Sequence, residues 1–210
     1  MRKKEEPSDS AIMKFVNWLT EIAVDGVGPL SSSTELANEY LLDVSYEDND
    51  ERVNSLIRWE TSKTFGTGFV TGLGGFTTLP ITIPSALGAA WIVQARLVGA
   101  IAKIYGHDLK EDRVKTAIIC TLIGSDIAAV LKGVGLKTGE LFAKQAIKKI
   151  PAAMIHEINK KVGARLLTKA GEKGVVNLTK LVPVVGGLIG GTVDAVATRA
   201  VGKLAKKSFR

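Results

Sequence analysis

The sequence predicts an all-α fold, a compact multi-helix bundle with glycine-rich, closely packed helices. Apolar residues recur at helical spacing along nearly the whole chain, without the sustained alternation typical of strands. The 22 glycines lie inside apolar runs of mainly Ala, Val, Ile and Leu, and small residues of this kind let helix backbones approach closely. With 210 residues, 46% of them hydrophobic, the chain can bury one sizeable core.

Three helices are predicted in the N-terminal third. The first ends at a turn over residues 25–29, and the second begins after the cap region SSST at residues 31–34. The acidic stretch YEDNDE connects the second helix to the third. The apolar stripes of these helices are Ile12, Phe15, Val16, Leu19 and Ile22, then Leu36, Tyr40 and Leu41, then Val53, Leu56, Ile57 and Trp59.

A run of 32 uncharged residues, 64–95, follows the third helix. It is long enough to cross a bilayer once. Its five glycines in the first half, with Pro80 and Pro84, would leave the backbone groups of a lipid-facing helix poorly satisfied. We therefore predict a buried loop-and-helix pair or a shallow hairpin at a membrane surface in place of a transmembrane helix.

Two helices are predicted in the middle of the chain. Pro84 suits the first turn of a helix that Gly106 ends. Asp108 and Glu111 have the spacing of a capping box, which predicts a helix that starts there and reaches Gly133.

Three more helices are predicted toward the C-terminus, over residues 136–150, 152–169 and 182–210, with Pro151 separating the first two. The last has a small-residue face and a basic face. Its apolar face consists of Val185, Ile189, Val193, Val196, Ala200 and Leu204.

Charge is unevenly distributed along the chain. The net charge is −7 over residues 1–60, +2 over residues 61–129 and +12 over residues 130–210. This asymmetry indicates an anionic partner, either a lipid surface or a nucleic acid, or an acidic N-terminal segment that folds back over the basic part. No aromatic residues are interleaved with the lysines, which disfavours nucleic acid. The candidate membrane or anionic-partner surface comprises Lys144, Lys148, Lys160, Lys161, Arg165, Arg199, Lys203, Lys206 and Lys207.

Four polar residues lie inside apolar helical patterns: Gln94, Arg96, Asp126 and Asp194. A lone buried charge costs several kcal/mol, so each charged member of this set needs a partner. One interpretation pairs Arg96 with Asp126 or Asp194 to fix helix packing. The other makes the four residues a polar cluster that lines a ligand cavity.

Catalytic and cofactor-binding motifs find no support. Residues 133–139 carry Leu136 where a phosphate loop needs glycine, and His156 lacks the second histidine of a zinc-protease motif. His107 has no nucleophile and acid beside it, and Cys120 lies in an apolar run typical of a buried thiol. We predict no metal and no cofactor, and an enzyme is the least favoured class.

Four long segments resemble the EcsC family and together cover most of residues 59–207. They are WETSKTFGTGFVTGLGGFTTLPITIPSALGAAWIVQARLVGAIAKIYGHDL, AKQAIKKIP, INKKVGARLLTKAGEKGVVNLTKLVPVVGG and GTVDAVATRAVGKLAKK. The resemblance implies a bacterial, helical protein from a family named for a gene encoded beside the two components of an ABC transporter. The resemblance assigns no catalytic residue to any position of this chain. We interpret residues 51–210 as an EcsC-like helical domain and residues 1–50 as an acidic helical extension.

Two functions are expected from these observations. The first is a non-enzymatic accessory protein that associates peripherally with the inner face of the cell membrane or with an ABC transporter, through its basic helices and its glycine-rich apolar segment. The alternative is a helical module that encloses a lipid-like or apolar ligand, and a hydrolase is a remote third. The start, MRKKEEPSDS, lacks the apolar segment of a secretion signal, which predicts a cytoplasmic location.

Overall fold

Seven α-helices make up the described part of the chain. The computed structural model describes residues 7–26, 30–65, 85–124, 135, 150–177 and 186–210, with the backbone alone at 64–65, 85–87, 89, 169–177 and 186–194. No strand occurs within these ranges, so the predicted all-α class is confirmed. The helices are α1 (Asp9–Asp25), α2 (Ser33–Leu41), α3 (Asn49–Phe65), α4 (Ser85–Ile104), α5 (Asp112–Leu122), α6 (Ala152–Asn177) and α7 (Gly186–Phe209).

Helix α4 is the centre of the bundle. It contacts α1, α2, α3, α5 and α7, and these five helices contact one another in the order α1, α2, α3, α7, α5 and back to α1. Helix α6 packs outside this ring, against α1 and α5. Every residue from Trp91 to Ala102 is buried, and all of them except Gln94 and Arg96 are apolar or glycine, as expected of a helix at the centre of a bundle. The described helices therefore share one hydrophobic core.

Glycines lie at close helix crossings. A side chain at Gly99 of α4 would clash with the hydroxyl of Ser33 on α2. A Cβ at Gly163 of α6 would lie 2.6 Å from Cγ2 of Val16 on α1. The predicted use of small residues for close helix packing is confirmed at these two crossings.

Three helix ends lie where the sequence predicts them. Helix α1 is followed by Gly26 and α4 by Gly106, both with the left-handed backbone that favours glycine, at φ 81° and 85°. Helix α2 begins with a capping box in the SSST region. The hydroxyl of Ser32 accepts from the backbone N–H of Glu35 (3.0 Å), and the Glu35 carboxylate accepts from the N–H of Ser32 (2.7 Å).

The predicted start and end of α5 are wrong. The Asp108 carboxylate accepts from the backbone N–H of Lys110 (3.0 Å) in a local turn, so it does not cap a helix. Helix α5 begins after Glu111, which makes no side-chain capping bond, and it ends at Leu122 and not at Gly133. By contrast, α6 runs eight residues beyond the predicted end at 169, to Asn177.

Four members of the predicted apolar stripes are exposed at the surface: Leu41, Trp59, Val196 and Ala200. Leu41 is 37% exposed, Trp59 60% and Val196 70%. Each lies on a helix that packs against the core with its other side. The buried face of these helices is therefore narrower than the apolar stripe that the sequence predicts. The predicted helix over 136–150 and most of the uncharged run lie outside the described residues.

The N-terminal helices are part of the common core. Phe15 of α1 is fully buried and packs edge to face on Trp91 of α4, with ring centroids 5.6 Å apart. Leu36 of α2 is also buried in the same cluster. The boundary that the sequence interpretation places at residue 50 stays a prediction.

Candidate functional site

A buried ion pair joins α3 to α4. Nη2 of Arg96 lies 3.6 Å from Oε1 of Glu60, with only 6% and 1% of the two side chains exposed. The same Glu60 oxygen accepts from the ammonium of Lys63 at 2.9 Å, and 45% of the Lys63 side chain is exposed. Lys63 therefore reaches from the surface to an acid that lies in the interior.

Two polar groups of α2, Tyr40 and Ser33, lie near the pair. Burial and the nearby Glu60 carboxylate raise the pKa of Tyr40 above its ordinary value. The hydroxyl of Ser33 lies 2.6 Å from the carbonyl oxygen of Ala23 and 3.0 Å from that of Arg96, which ties α1, α2 and α4 together. Nε of Arg96 is buried and has no hydrogen-bond partner among the described atoms.

The structure describes the side chains of only two of the four residues that were predicted to form a polar cluster. Gln94 and Arg96 are both buried in α4, at 7% and 5% exposure. Asp126 lies outside the described residues, and of Asp194 the structure describes only the backbone in α7. Pairing of Arg96 with either aspartate therefore stays a prediction. The partner that the structure does give, Glu60, was missed by the sequence analysis.

A second ionic cluster fastens the C-terminal end of α7 to the start of α3. The Asp50 carboxylate accepts from the Tyr105 hydroxyl (2.7 Å) and lies 3.4 Å from the Lys206 ammonium and 3.0 Å from the Arg210 guanidinium. Lys206 also donates to the side-chain oxygen of Asn54 at 2.9 Å. An acidic residue of the N-terminal part thus covers a portion of the basic C-terminal helix.

His107 completes this end of the bundle. Its Nε2 lies 2.8 Å from the backbone oxygen of Phe209, and the two rings meet edge to face with centroids 5.3 Å apart. Phe209 is itself buried. His107 thus lies in the connection directly after α4, as its position after Gly106 predicted.

The predicted basic surface divides between two helices. On α6, Lys160 pairs with Asp9 of α1, Lys161 lies 3.5 Å from Glu157, and Arg165 is exposed. Lys144 and Lys148 lie outside the described residues. On α7, Lys206 is engaged with Asp50 as described above. Because α6 packs on α1 and α5 while α7 packs on α3, α4 and α5, the two basic regions occupy different sides of the bundle.

We define the basic strip as the exposed cations of α7 and of the residue that follows it: Arg199, Lys203, Lys207 and Arg210. They follow one another at spacings of three or four residues, so they lie along one side of the helix. No Asp or Glu occurs between residues 195 and 210. Within the described part of the chain, the first three make no ion pair. Val196 and Ala200 are exposed among them.

The Asp50 cluster predicts a specific acid sensitivity. Although burial acts to raise the pKa of Asp50, the hydrogen bond from Tyr105 and the charges of Lys206 and Arg210 lower it below its ordinary value. A depressed carboxyl pKa stabilises the fold above the unfolded-state pKa of about 3.9, and this contribution is lost as the pH falls through the folded-state pKa.

We therefore expect the difference in unfolding free energy between the wild type and Asp50→Asn to be constant near neutral pH and to shrink below about pH 4. Urea titrations across this pH range measure it. The matched control is Glu39→Gln, at an exposed carboxylate that makes no ion pair in the described residues, and its difference should stay within about 0.5 kcal/mol. A difference for Asp50→Asn that persists at low pH would contradict the ionic role.

Other kinds of site find no support in the described ranges. Cys120 is fully buried, and burial raises the pKa of its thiol to about 12, so it is an unreactive core residue as predicted. No group of three or more metal-ligating side chains occurs among the described residues. None of the helices, over the parts that the structure describes, is long and apolar enough to cross a membrane.

These features define the class as an all-α bundle with a buried ion pair beside its central helix and a basic strip on its C-terminal helix. The sequence matches the EcsC protein family over residues 10–210, and the chain belongs to that family. The match begins within α1, so it includes both N-terminal helices. No curated protein and no solved structure matches the chain.

Proposed function

We propose that the chain is a non-enzymatic accessory protein that associates reversibly with the anionic, cytoplasmic face of the cell membrane. The observation that carries the proposal is the basic strip of α7. Arg199, Lys203 and Lys207 are exposed and have no carboxylate partner among the described residues, so their charges are available to an anionic surface.

The dimensions of the strip suit a flat surface. At 1.5 Å per residue, the four cations extend over about 16 Å along one side of a helix. Near a membrane rich in anionic lipid, each cation contributes about 1 kcal/mol within a Debye length. Three or four engaged cations give binding that salt reverses. The exposed Val196 adds a small apolar contact at the N-terminal end of the strip.

An ABC transporter is the protein partner that the family resemblance suggests for this location. Such a transporter lies in the same membrane, so a chain held at the inner leaflet by its basic strip would be concentrated beside it. The part of the glycine-rich run that precedes α4, residues 66–84, is a second candidate contact with lipid or with the transporter; residues 91–95 are buried in α4.

A second candidate function is the enclosure of a lipid-like ligand. The observation that favours it is the buried Arg96, whose Nε lacks an acceptor among the described atoms. An anionic headgroup could accept from this N–H. The closely packed small-residue helices would then surround the apolar part of the ligand.

Co-sedimentation with vesicles tests the membrane proposal. We expect binding to anionic phosphatidylglycerol vesicles at low salt, release at high salt, and little binding to neutral phosphatidylcholine vesicles. Replacing Arg199, Lys203 and Lys207 together by Gln should weaken binding about 100-fold, because about 3 kcal/mol of attraction is lost. Lys206 is left unchanged because it stabilises the fold through Asp50.

The matched control removes three cations from the α1 and α6 side: Lys14, Lys161 and Arg165, each replaced by Gln. This variant has the same net charge as the α7 variant, and its binding should remain within a few-fold of the wild type. Equal loss in both variants would show that only net charge matters. If the protein does not bind anionic vesicles at low salt and co-purifies with a bound lipid, the result would support the enclosed-ligand function instead.

A further inference from the structure

The end of α2, the following connection and the first turn of α3 form a surface with the opposite charge to the basic strip. We define this acidic corner as residues 39–51, which contain six carboxylates. The next residue, Arg52, donates to the backbone oxygens of Tyr40, Asp43 and Tyr46, so one cation lies against six carboxylates. Leu42 and Val44 are exposed in it, at 80% and 96%. Exposed apolar residues with a charged rim mark a protein interaction surface, and the carboxylates would repel an anionic membrane.

The acidic corner and the basic strip lie side by side. Asp50, at the edge of the corner, contacts Lys206 and Arg210, at the end of α7. The strip runs away from this contact along α7 toward Val196, because Gly202 of α7 packs on Ile57 of α3, two turns beyond Asp50. One face of the molecule thus has adjacent patches of opposite sign.

We propose that the acidic corner binds the basic strip of a second copy of this chain, about a two-fold axis. An isologous interface needs a self-complementary surface, in which each patch meets the other after a rotation of 180°. Two adjacent patches of opposite charge satisfy this condition. The exposed Val196 and Ala200 of the strip give Leu42 and Val44 an apolar surface to contact.

The interface would cover the strip that the proposed membrane function uses. The dimer and the membrane-bound chain are then alternative states, and an anionic surface competes with the acidic corner for the same cations. Both interactions weaken with salt, because exposed charges are screened. Dimerisation does not require the membrane function to be correct.

A charge-exchange experiment tests the interface. The corner variant carries Glu39→Lys and Glu47→Lys, and the strip variant carries Lys203→Glu and Lys207→Glu. All four side chains are exposed and make no ion pair in the described part of the chain. Sedimentation velocity at low salt should show a dimer for the wild type and a monomer for each variant alone. The substitutions lower the charge of the corner from −6 to −2, or that of the strip from +4 to 0, and they place like charges opposite each other at the substituted positions in both halves of the interface.

Mixing the two variants in equal amounts should restore a dimer. One half of the mixed interface then joins the unchanged corner to the unchanged strip, and in the other half the substituted positions carry opposite charges. High salt should dissociate the wild-type dimer. The corner variant keeps its basic strip and should bind anionic vesicles at least as tightly as the wild type, whereas the strip variant should lose both interactions. Failure of the dimer and failure of membrane binding are therefore distinguishable.

Three results would overturn the proposal. The first is a wild type that is monomeric at low salt and high protein concentration, and the second is a dimer that both variants retain. The third is a monomeric wild type that binds a synthetic Lys/Leu amphipathic peptide, with binding abolished by Glu39→Lys and Glu47→Lys. The partner of the acidic corner would then be a different protein.

Discussion

Replacing Glu60 by Met is expected to destabilise the fold by about 3–5 kcal/mol. The carboxylate is buried beside Arg96, and removing it leaves the Arg96 guanidinium without a described carboxylate in an interior where an unpaired charge is costly. Among the described atoms, Nε of Arg96 already has no acceptor. A loss of this size is a large part of the 5–15 kcal/mol that stabilises a typical domain.

The reverse variant, Arg96→Met, should lie toward the lower end of this range. Glu60 would keep the ammonium of Lys63 at 2.9 Å, and that side chain is 45% exposed and brings a solvated charge to the site. The double variant with Met at both positions should be more stable than Glu60→Met alone, because replacing both members of a buried pair by apolar residues is often neutral or stabilising. Urea unfolding of the four proteins gives the coupling energy.

Additive effects of the two substitutions would refute the pair. The aspartates that the sequence analysis proposed are tested in the same series, through Asp126→Asn and Asp194→Asn. If either destabilises the wild type strongly but has little effect in the Arg96→Met background, Arg96 has a further acidic partner beyond Glu60.

The fold class and most helices could be predicted because the core selects apolar residues at helical period. The left-handed stops at Gly26 and Gly106 were predictable for a similar local reason, since few residues other than glycine adopt that backbone. The capping box at Asp108 was not, because an aspartate can bond its own turn as well as cap a helix. Local sequence does not decide between these two uses.

The buried acid of the ion pair was missed for a physical reason. Glu60 lies three residues before Lys63, which is the usual pattern of an exposed helical pair. A signal was nevertheless present, because Glu60 continues the stripe of Val53 and Leu56 at spacings of three and four residues. Burial of a charge depends on the helices that pack around it, and this information is not local.

The charge asymmetry predicted either an anionic partner or an acidic N-terminal segment that folds back over the basic part, and it did not decide between them. Asp9 pairs with Lys160, and Asp50 with Lys206 and Arg210, so acidic N-terminal residues do fold over part of the basic C-terminal half. Which cations remain exposed could not be predicted, since it depends on the position of each residue around α7. The basic strip is what remains after these pairings.

Replacing Phe15 by Ala is expected to cost about 3–5 kcal/mol and to destabilise the whole bundle. Phe15 is fully buried in α1, and its ring packs on Trp91 of the central helix and on Trp18, with centroid distances of 5.6 Å and 6.1 Å. Because α1 shares its core with α4, the cavity should lower the midpoint of the single cooperative transition, seen by both tryptophan fluorescence and circular dichroism.

The same experiment decides whether residues 1–50 form an extension or an integral part of the domain. If they were an extension, Phe15→Ala would melt α1 locally and leave the main transition at its original midpoint. Val44→Ala is the matched control, because Val44 lies in the same 50 residues but is 96% exposed, and its effect should stay within about 0.5 kcal/mol. A shift of the main transition with Phe15→Ala, and none with Val44→Ala, places α1 in the cooperative core that the family match from residue 10 also includes.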